Sequence, residues 1–576
     1  MTSFLNRSGE LPTLHQLHEL NRLIFGGQCL PTGLATKSIG LVNCPPYINY
    51  INYSFGGQCL GTGLATQSIG LVNCPPYINY INYINYSCSL FPVPCSLFPV
   101  PCSLFLSILC SHLKYKRYRM DLLVIESFAF TPRLGTAGEI AINAAVAGKN
   151  TGFSFLHVEN PDDIRFLPNR RFQKFGKRSW THKVSKVESL LRNYGVTTLP
   201  DEFLSEKTRL QIQDYVQNAP DRLSELKAYK YKDAALGLAT VSSLIWQTGS
   251  LHPDPDDYYP LIQRLLGCSA SVYEKARALI LKYNPQKIIA FNGRLASVKG
   301  IFEAAKQLDV EVQYYEKGAN YMKYELFDQP PHDFAYMREH IQTYWQQAGI
   351  DREELGHTFY KNRRQGEGIG STTFTSEQQK GLVPGQTGNH RQIVYYSASD
   401  DEYAAIGDLV KHPIFKNQRE AVKSLISWIS NQMDCYLTIR VHPHLNKKSL
   451  EDRNWWNSLT GKNVQVIPPD SKVDSYALID WADVVVTYNS TIGVEAAYWG
   501  KPSVLLGDSK YSGLGCVYQP RSEAEVYTLL ENDSLAPLPQ ETCLPYGYYS
   551  LSRGIKYNYY NPHNSLFGDF VGQALD

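Results

Sequence analysis

The sequence predicts an α/β protein in which two parallel-sheet domains face a cleft, and three observations carry that prediction. Short apolar runs alternate with helix-length amphipathic segments twice along the chain, once from Met120 to Lys317 and again from Ile393 to Gly507. Each apolar run ends in a turn of Gly, Asn, Ser or charged residues, as strands that feed a crossover helix do. Between the two series, Tyr360 to Arg391 loses its apolar periodicity and is rich in Gly, Gln, Thr and Ser, so it reads as a linker or long surface loop.

The first series opens with the buried-strand run Leu122 to Glu126, a turn at "TPRLGTAGE", a helix from Glu139 to Ala147 and a strand at "TGFSFLHV". Arg165 to Gln263 is more polar and more helical, with tight turns such as "HPDPDDYYP". A clearer unit follows: strand Lys287 to Phe291, turn Asn292-Gly293-Arg294, helix Ala296 to Leu308, strand Val310 to Tyr315 and a charged exit at Glu316-Lys317-Gly318. In the second series, strand Ile393 to Tyr396 leads to "SASDDE", and a helix runs from about Ala421 to Gln432. "CYLTIRV", "NVQVIPP", "DVVVTY" and "KPSVLLG" read as strands, "DSYALIDWA" and "NSTIGVEAAYWG" as turn-and-helix units. Each half is Rossmann-like, and the cleft between them is the default site.

With 576 residues, 43% of them hydrophobic and 19% charged, the chain can bury two or three ordinary cores. The formal net charge of +2 gives no long-range pull toward nucleic acid or an anionic membrane, so a bound anion has to be met by local groups.

Residues 1–119 are set apart by repetition. Phe25 to Tyr53 recurs as Phe55 to Tyr83 with only Pro31/Gly61 and Lys37/Gln67 changed, "INY" stutters in tandem, and "CSLFPVP" repeats from Cys88 and Cys95. Stacked solenoid repeats vary on their exposed faces, so near-identity resembles in-frame translation of repeated DNA. The expectation is a repeat-derived extension without function, the working chain starting at Met120. Phe91 to Cys110 is apolar, yet Pro92, Pro94, Pro99 and Pro101 interrupt it, and its basic flank follows rather than precedes it. After residue 119 only Cys268, Cys435, Cys516 and Cys543 remain, without metal-like spacing, which fits a reducing cytoplasm and no structural disulfide.

Two motifs stand out. In "LTIRVHPHLNKKS", His442 lies beyond the carboxyl end of a strand, where open parallel sheets place ligands, and Pro443 favours an extended backbone that points the imidazole outward. Such a histidine can donate a hydrogen bond to a phosphate or protonate one; it can equally be a turn residue, and no third ligand of suitable spacing supports a metal. In "TYNSTIGVEAAYWGKP", Asn489, Ser490 and Thr491 open a helix after a buried strand, which offers unpaired N–H groups and hydroxyls to a phosphate; Glu495, one turn on, could accept from ribose hydroxyls. Glu316 and the Asp400-Asp401-Glu402 run are candidate general bases, Glu139 a weaker one explained as a first-turn acid. Asn292, Arg294, Ser399 and Glu402 are further cleft candidates.

"FNGRLASVKGIFEAAKQLDVEVQYYEKG", "SASDDE", "TIRVHPHL" and "VDSYALIDWADVVVTYNSTIGVEAAYWGKPSVLLG" together resemble the bacterial capsule polysaccharide biosynthesis proteins, which include the β-Kdo transferases and are similar in plan to other GT-B enzymes with cytidine-activated donors. The resemblance covers roughly Met120 onward, is strongest from Ile393 to Gly507 and leaves 1–119 outside; it implies a GT-B protein with an acceptor domain over 120–385 and a nucleotide-sugar domain over 386–576. It implies an inverting, metal-independent glycosyltransferase without cofactor, with a CMP-linked (Kdo-like) donor and a lipid-linked or oligosaccharide acceptor. His442, Pro443, Ser490 and Thr491 would bind the donor phosphate, and Glu316 and His442 are the catalytic candidates. A cytoplasmic location, peripheral at the inner membrane face or on capsule-assembly proteins, goes with that reading. A cytidine-linked polyol phosphotransferase, a non-hydrolysing sugar-nucleotide epimerase and a non-enzymatic capsule-assembly scaffold share the plan.

Overall fold

In the computed structural model of the protein, the described residues are 39–44, 48–58, 64–69, 119–159, 177–367, 374–385, 390–399, 401 and 403–575. Residues 1–108 and 109–576 form separate compact units. In the first unit, β1 (Ile39–Cys44), β2 (Ile48–Gln58) and β3 (Leu64–Ile69) form an antiparallel sheet in that order. β2 straddles the boundary between the two long sequence copies, so strand limits here do not follow the repeat, unlike those of a solenoid.

The second unit holds two parallel sheets of the same plan. The first is built from β4 (Leu122–Glu126), β5 (Thr151–Phe155), β6 (Thr197–Leu199), β7 (Lys287–Phe291), β8 (Glu311–Lys317) and β9 (Lys323–Phe327). The second comprises β10 (Arg391–Tyr396), β11 (Cys435–Arg440), β12 (Val464–Ile467), β13 (Val484–Thr487) and β14 (Ser503–Leu505). Their parallel cores run β6-β5-β4-β7-β8 and β12-β11-β10-β13-β14. In each, the chain starts in the middle, winds to one edge and crosses back, leaving a switch point between β4 and β7 and between β10 and β13. β4 and β5 are buried throughout, as strands covered by helices on both faces are; β4 carries the apolar run Leu122 to Ile125, while β5 also buries Thr151 and Ser154.

β9 adds antiparallel to β8, and β15 (Ile555–Lys556), from the far end of the chain, closes the sheet antiparallel on β9. A final small sheet, β16 (Tyr560–Pro562), β17 (Gly568–Phe570) and β18 (Gln573–Ala574), places Tyr560, Phe570 and Leu575 in the apolar core around β4 and β5. The two halves meet directly. Tyr360 stacks on Tyr498 at 3.9 Å between ring centroids, Arg338 pairs with Asp508 at 2.6 Å, and one apolar core runs from Leu279 and Ile301 to Ala497 and Leu505.

Three readings need correction. "TPRLGTAGE" is not a turn: the helix runs over Thr131–Val146, with Pro132 in its first turn, where a missing N–H does no harm. Glu139 is therefore not a first-turn residue. It is fully buried in mid-helix, and its carboxylate accepts the backbone N–H groups of Asn558 (2.9 Å), Tyr559 (2.7 Å) and Tyr560 (2.9 Å). Tyr360 to Gln365 is not loop either, but the last part of the helix Arg352–Gln365, closed by Gly366 at φ 82°.

Candidate functional site

The carboxyl edges of β10, β11 and β13 open onto a cavity of about 80 Å³ at the second switch point. Ser397, Arg440, His442, Pro443, Ser490 and Thr491 line it from the strand ends; Arg363, Phe374, Thr375 and Gln378 line it from the chain that precedes the second sheet. The cavity is small against the roughly 300 Å³ at which sites for whole ligands begin, and suits one compact group.

His442 stands just past β11 with φ −62° and ψ 131°, the extended backbone expected before Pro443. Its backbone N–H donates to Ser397 Oγ at 2.8 Å, and its Nδ1 accepts the N–H of His444 at 3.1 Å. An Nδ1 that accepts from an amide carries no proton, so the neutral ring bears its hydrogen on Nε2, the nitrogen left to donate. Burial, helped by His444 and Arg440 alongside, lowers the His442 pKa to about 4. At neutral pH the ring is a hydrogen-bond donor and not an acid. The ring edge of Phe374 fixes it, at 5.5 Å and 80°.

Ser490 is buried, its N–H donating to Thr487 Oγ1 (3.0 Å) and its carbonyl accepting from Tyr511 (2.5 Å). Its Oγ accepts a long bond from the Ile492 N–H, 3.4 Å, and among the described residues its own hydroxyl hydrogen has no acceptor. Thr491 is exposed at the rim, without a capping bond of its side chain. The helix that follows, Ile492–Tyr498, is only seven residues long, so its dipole adds little and the side-chain donors carry the weight. Asn489 is half-buried outside the cavity lining, with its Oδ1 unpartnered.

Glu495 is fully buried beneath the cavity and not on its wall. It accepts from the Tyr476 hydroxyl and pairs with Arg363 at 3.6 Å, so it meets the cavity through Arg363. Arg440 is 2% exposed. Its Nη1 donates to the carbonyls of Pro468 (2.7 Å) and Val441 (3.3 Å) and its Nη2 to that of Ser471 (3.3 Å), while Nε has no partner.

Beside this, Ser399 donates to Asp401 and contacts His444 Nδ1 at 3.1 Å, and Asp401 pairs with Lys448 at 2.7 Å. Burial pushes the Asp401 carboxyl up, but Lys448 and Ser399 outweigh it and hold it below the usual range. Asp401 is thus a structural counter-ion. Asp400 and Glu402 lie outside the described residues.

In the first half, Glu316 at the end of β8 accepts from Asn292 Nδ2 at 2.5 Å and from the Lys317 N–H at 3.1 Å. Asn292, buried at φ 51°, turns the chain after β7, and its Oδ1 accepts from the Arg294 N–H at 3.1 Å; Arg294 Nη1 reaches Ser242 at 3.3 Å. These three form one cluster at strand ends, separate from the cavity lining. Among the described residues no group of three or more His, Cys, Asp or Glu could hold a metal, and no helix is long and apolar enough to cross a membrane.

Sequence reading missed Arg363, Phe374, Thr375 and Gln378, which fall in or beside a stretch without periodicity, and Arg440, which looked like an ordinary charged strand exit.

Residues 321–528 match the family model described as capsule polysaccharide biosynthesis protein. No curated protein matches the chain. Among solved structures, KpsC β-Kdo 2,4 transferase of Thermosulfurimonas dismutans is similar at 12% identity, over 45% of this chain and 78% of that one, with a TM-score of 0.32. The β-Kdo 2,7 transferase of the same organism's KpsC is similar at 17% identity, 48% and 80% coverage and TM-score 0.30. UDP-GlcNAc 2-epimerase of Neisseria meningitidis is similar at 11%, 74% and 97%, and 0.26. Scores this low do not choose between transferase and epimerase. The segment that matches the capsule polysaccharide biosynthesis model spans β9 to β14 and holds every strand-end residue of the cavity.

Proposed function

We propose that the chain is a glycosyltransferase of capsule or surface polysaccharide synthesis that holds the phosphate of a nucleotide-activated sugar in the second-half cavity. One observation carries the reading: His442 Nε2–H and the Ser490 hydroxyl are donors on a cavity wall with no acceptor among the described residues. Donors that face a cavity without an acceptor are free to bind a ligand, and an anion of phosphate size supplies what they lack.

In the reaction, the bond between the anomeric carbon and the phosphate oxygen breaks and its electron pair stays on the phosphate. Neutral His442 and Ser490 hydrogen-bond the charge that develops there. The acceptor hydroxyl attacks in a single displacement with inversion, and its proton passes to a carboxylate, for which Glu316, oriented by Asn292, is the candidate. The base preference for cytidine and a Kdo-like sugar rests on the sequence resemblance. The acceptor is an oligosaccharide or lipid-linked glycan at the first half.

Calorimetric titration of CMP, CDP, UMP, UDP and GDP, with product analysis on a matched donor, tests this. Cytidine nucleotides should bind most tightly, because a site built around the cytosine amine leaves a polar group unpaired with uracil, at about 1–3 kcal/mol. Tighter binding of UDP would remove Kdo and favour epimerase chemistry, while binding without turnover would leave a scaffold.

A further inference from the structure

We infer that Arg440 is the fixed positive charge of the cavity, kept without an internal counter-ion so that the ligand's anionic group supplies one. This deepens the donor-phosphate reading and rests on it. Three cationic side chains are buried among the described residues: Arg133, Lys275 and Arg440. Arg133 pairs with Glu126 at 2.6 Å and Lys275 with Asp201 at 2.5 Å. Arg440 meets three carbonyls and, among the described residues, no carboxylate within ion-pair distance; the exposed Asp470 acts on it only from farther off.

The rest of the cavity does not supply the missing charge. Arg363 is matched by Glu495, nearby Lys448 is matched by Asp401, and His442 is a neutral donor. Ser397, Ser490, Thr491 and Thr375 carry none, and Thr375 Oγ1 is itself buried without a partner. The wall therefore holds one desolvated cation with no counter-ion in contact and with an unpartnered Nε. Carbonyl dipoles soften that charge but do not cancel it, and a buried charge without a counter-ion is costly to keep. An anionic group in the cavity completes the pair, which makes Arg440 a binding residue for phosphate as such, whatever base or sugar is attached.

The bland alternative is that Arg440 only pins the turn at Pro468 to Ser471, and the experiment separates the two. Inorganic phosphate, cytidine, CMP and CDP are titrated into the full chain and into Arg440→Gln and Arg440→Lys, with melting temperatures recorded alongside. The expected result for Arg440→Gln is a loss of CMP affinity of about tenfold to a hundredfold, the scale of a charge-assisted hydrogen bond, and loss of phosphate binding. Cytidine affinity should stay within about twofold, a change of under half a kcal/mol, and Arg440→Lys should fall between. An equal fall in cytidine and CMP affinity, or CMP binding that is unchanged, overturns the inference. If Arg440→Gln does not fold, the unaltered chain decides: inorganic phosphate should raise its melting temperature more than cytidine does, and no rise would overturn the proposal. Phosphate binding without selectivity for any nucleotide would sink the donor assignment and leave Arg440 as the anion site.

Discussion

The two halves turn at equivalent points and treat that point in opposite ways. At the first switch point, Glu126 at the end of β4 is closed upon by its own surroundings: Arg133, the Tyr315 hydroxyl and the N–H groups of Ser127 (2.8 Å) and Phe128 (2.9 Å) all donate to it. The Arg133 guanidinium also lies 4.1 Å over the Phe291 ring. At the second, the arginine is equally buried, its carboxylate is missing, and a cavity stands beside it. One fold repeated in one chain thus gives a plug in one half and a receptacle in the other. The difference is a matter of which residues answer the charge at the strand ends.

Removing each answer in turn is the sharpest way to break the comparison. Glu126→Ala strands Arg133 as a buried unpaired cation and should cost about 3–5 kcal/mol in denaturant unfolding. Arg440→Met strands no carboxylate but only the carbonyls of Val441, Pro468 and Ser471, so the loss should be the smaller one, about 1–3 kcal/mol. Equal losses in the two variants would mean that the halves do not differ as described.

Activity should divide the halves in the other direction. His442→Ala and Ser490→Ala should each lower turnover by about a hundredfold with the fold intact, since each removes a donor to developing charge; near-normal turnover would return His442 to the status of a turn residue. His442 also gives the second half a pH signature. Its pKa falls from 6.5 unfolded to about 4 folded, so between those values the unfolded chain binds the proton first. Stability from this group is full above pH 6.5 and is lost as pH falls toward about 4; His442→Gln should flatten that slope.

A smaller effect belongs to the first half. Glu139→Gln keeps the shape but replaces a carboxylate that takes three amide bonds, and should cost about 1–3 kcal/mol. The smallest is expected for a chain started at Met120. Among the described residues that chain loses one exposed bond, from Asn150 to the Arg119 carbonyl at 3.0 Å, and both halves should keep their melting temperature and activity; a large loss of either would show that the repeats matter.

Most strands were legible because a strand covered on both faces has to be an uninterrupted apolar run, and Leu122–Glu126 and Val484–Thr487 are such runs. The helix Thr131–Val146 was hidden by Gly135 and Gly138, which look like turn residues. They are there for contact: a Cβ on Gly135 would stand 2.4 Å from the Tyr560 ring, and one on Gly138 2.5 Å from that of Phe570. Neither partner is within four hundred residues along the sequence, so no local pattern announces the reason. The site was legible where its residues carry a local signature, as His442-Pro443 and Asn489-Ser490-Thr491 do. Arg440 has none: an arginine at a strand end is written the same way whether it meets water, a carboxylate or a row of carbonyls. Glu495 was placed on the right helix but on the wrong side of the wall, since the apolar neighbours Val494, Ala496 and Ala497 already put that face in the core.

The closing segment that packs on the first half has a consequence for how the protein is made. β4 leaves the ribosome early, yet its sheet gains its last strand only at Ile555–Lys556 and its core only with Tyr560, Phe570 and Leu575. Until then Glu139 lacks its three amide partners, and the glycine face of its helix lies bare. The half that is translated first is finished last, after the second half has emerged complete, and every nascent chain passes through a stage in which the older half waits, open, for the final residues.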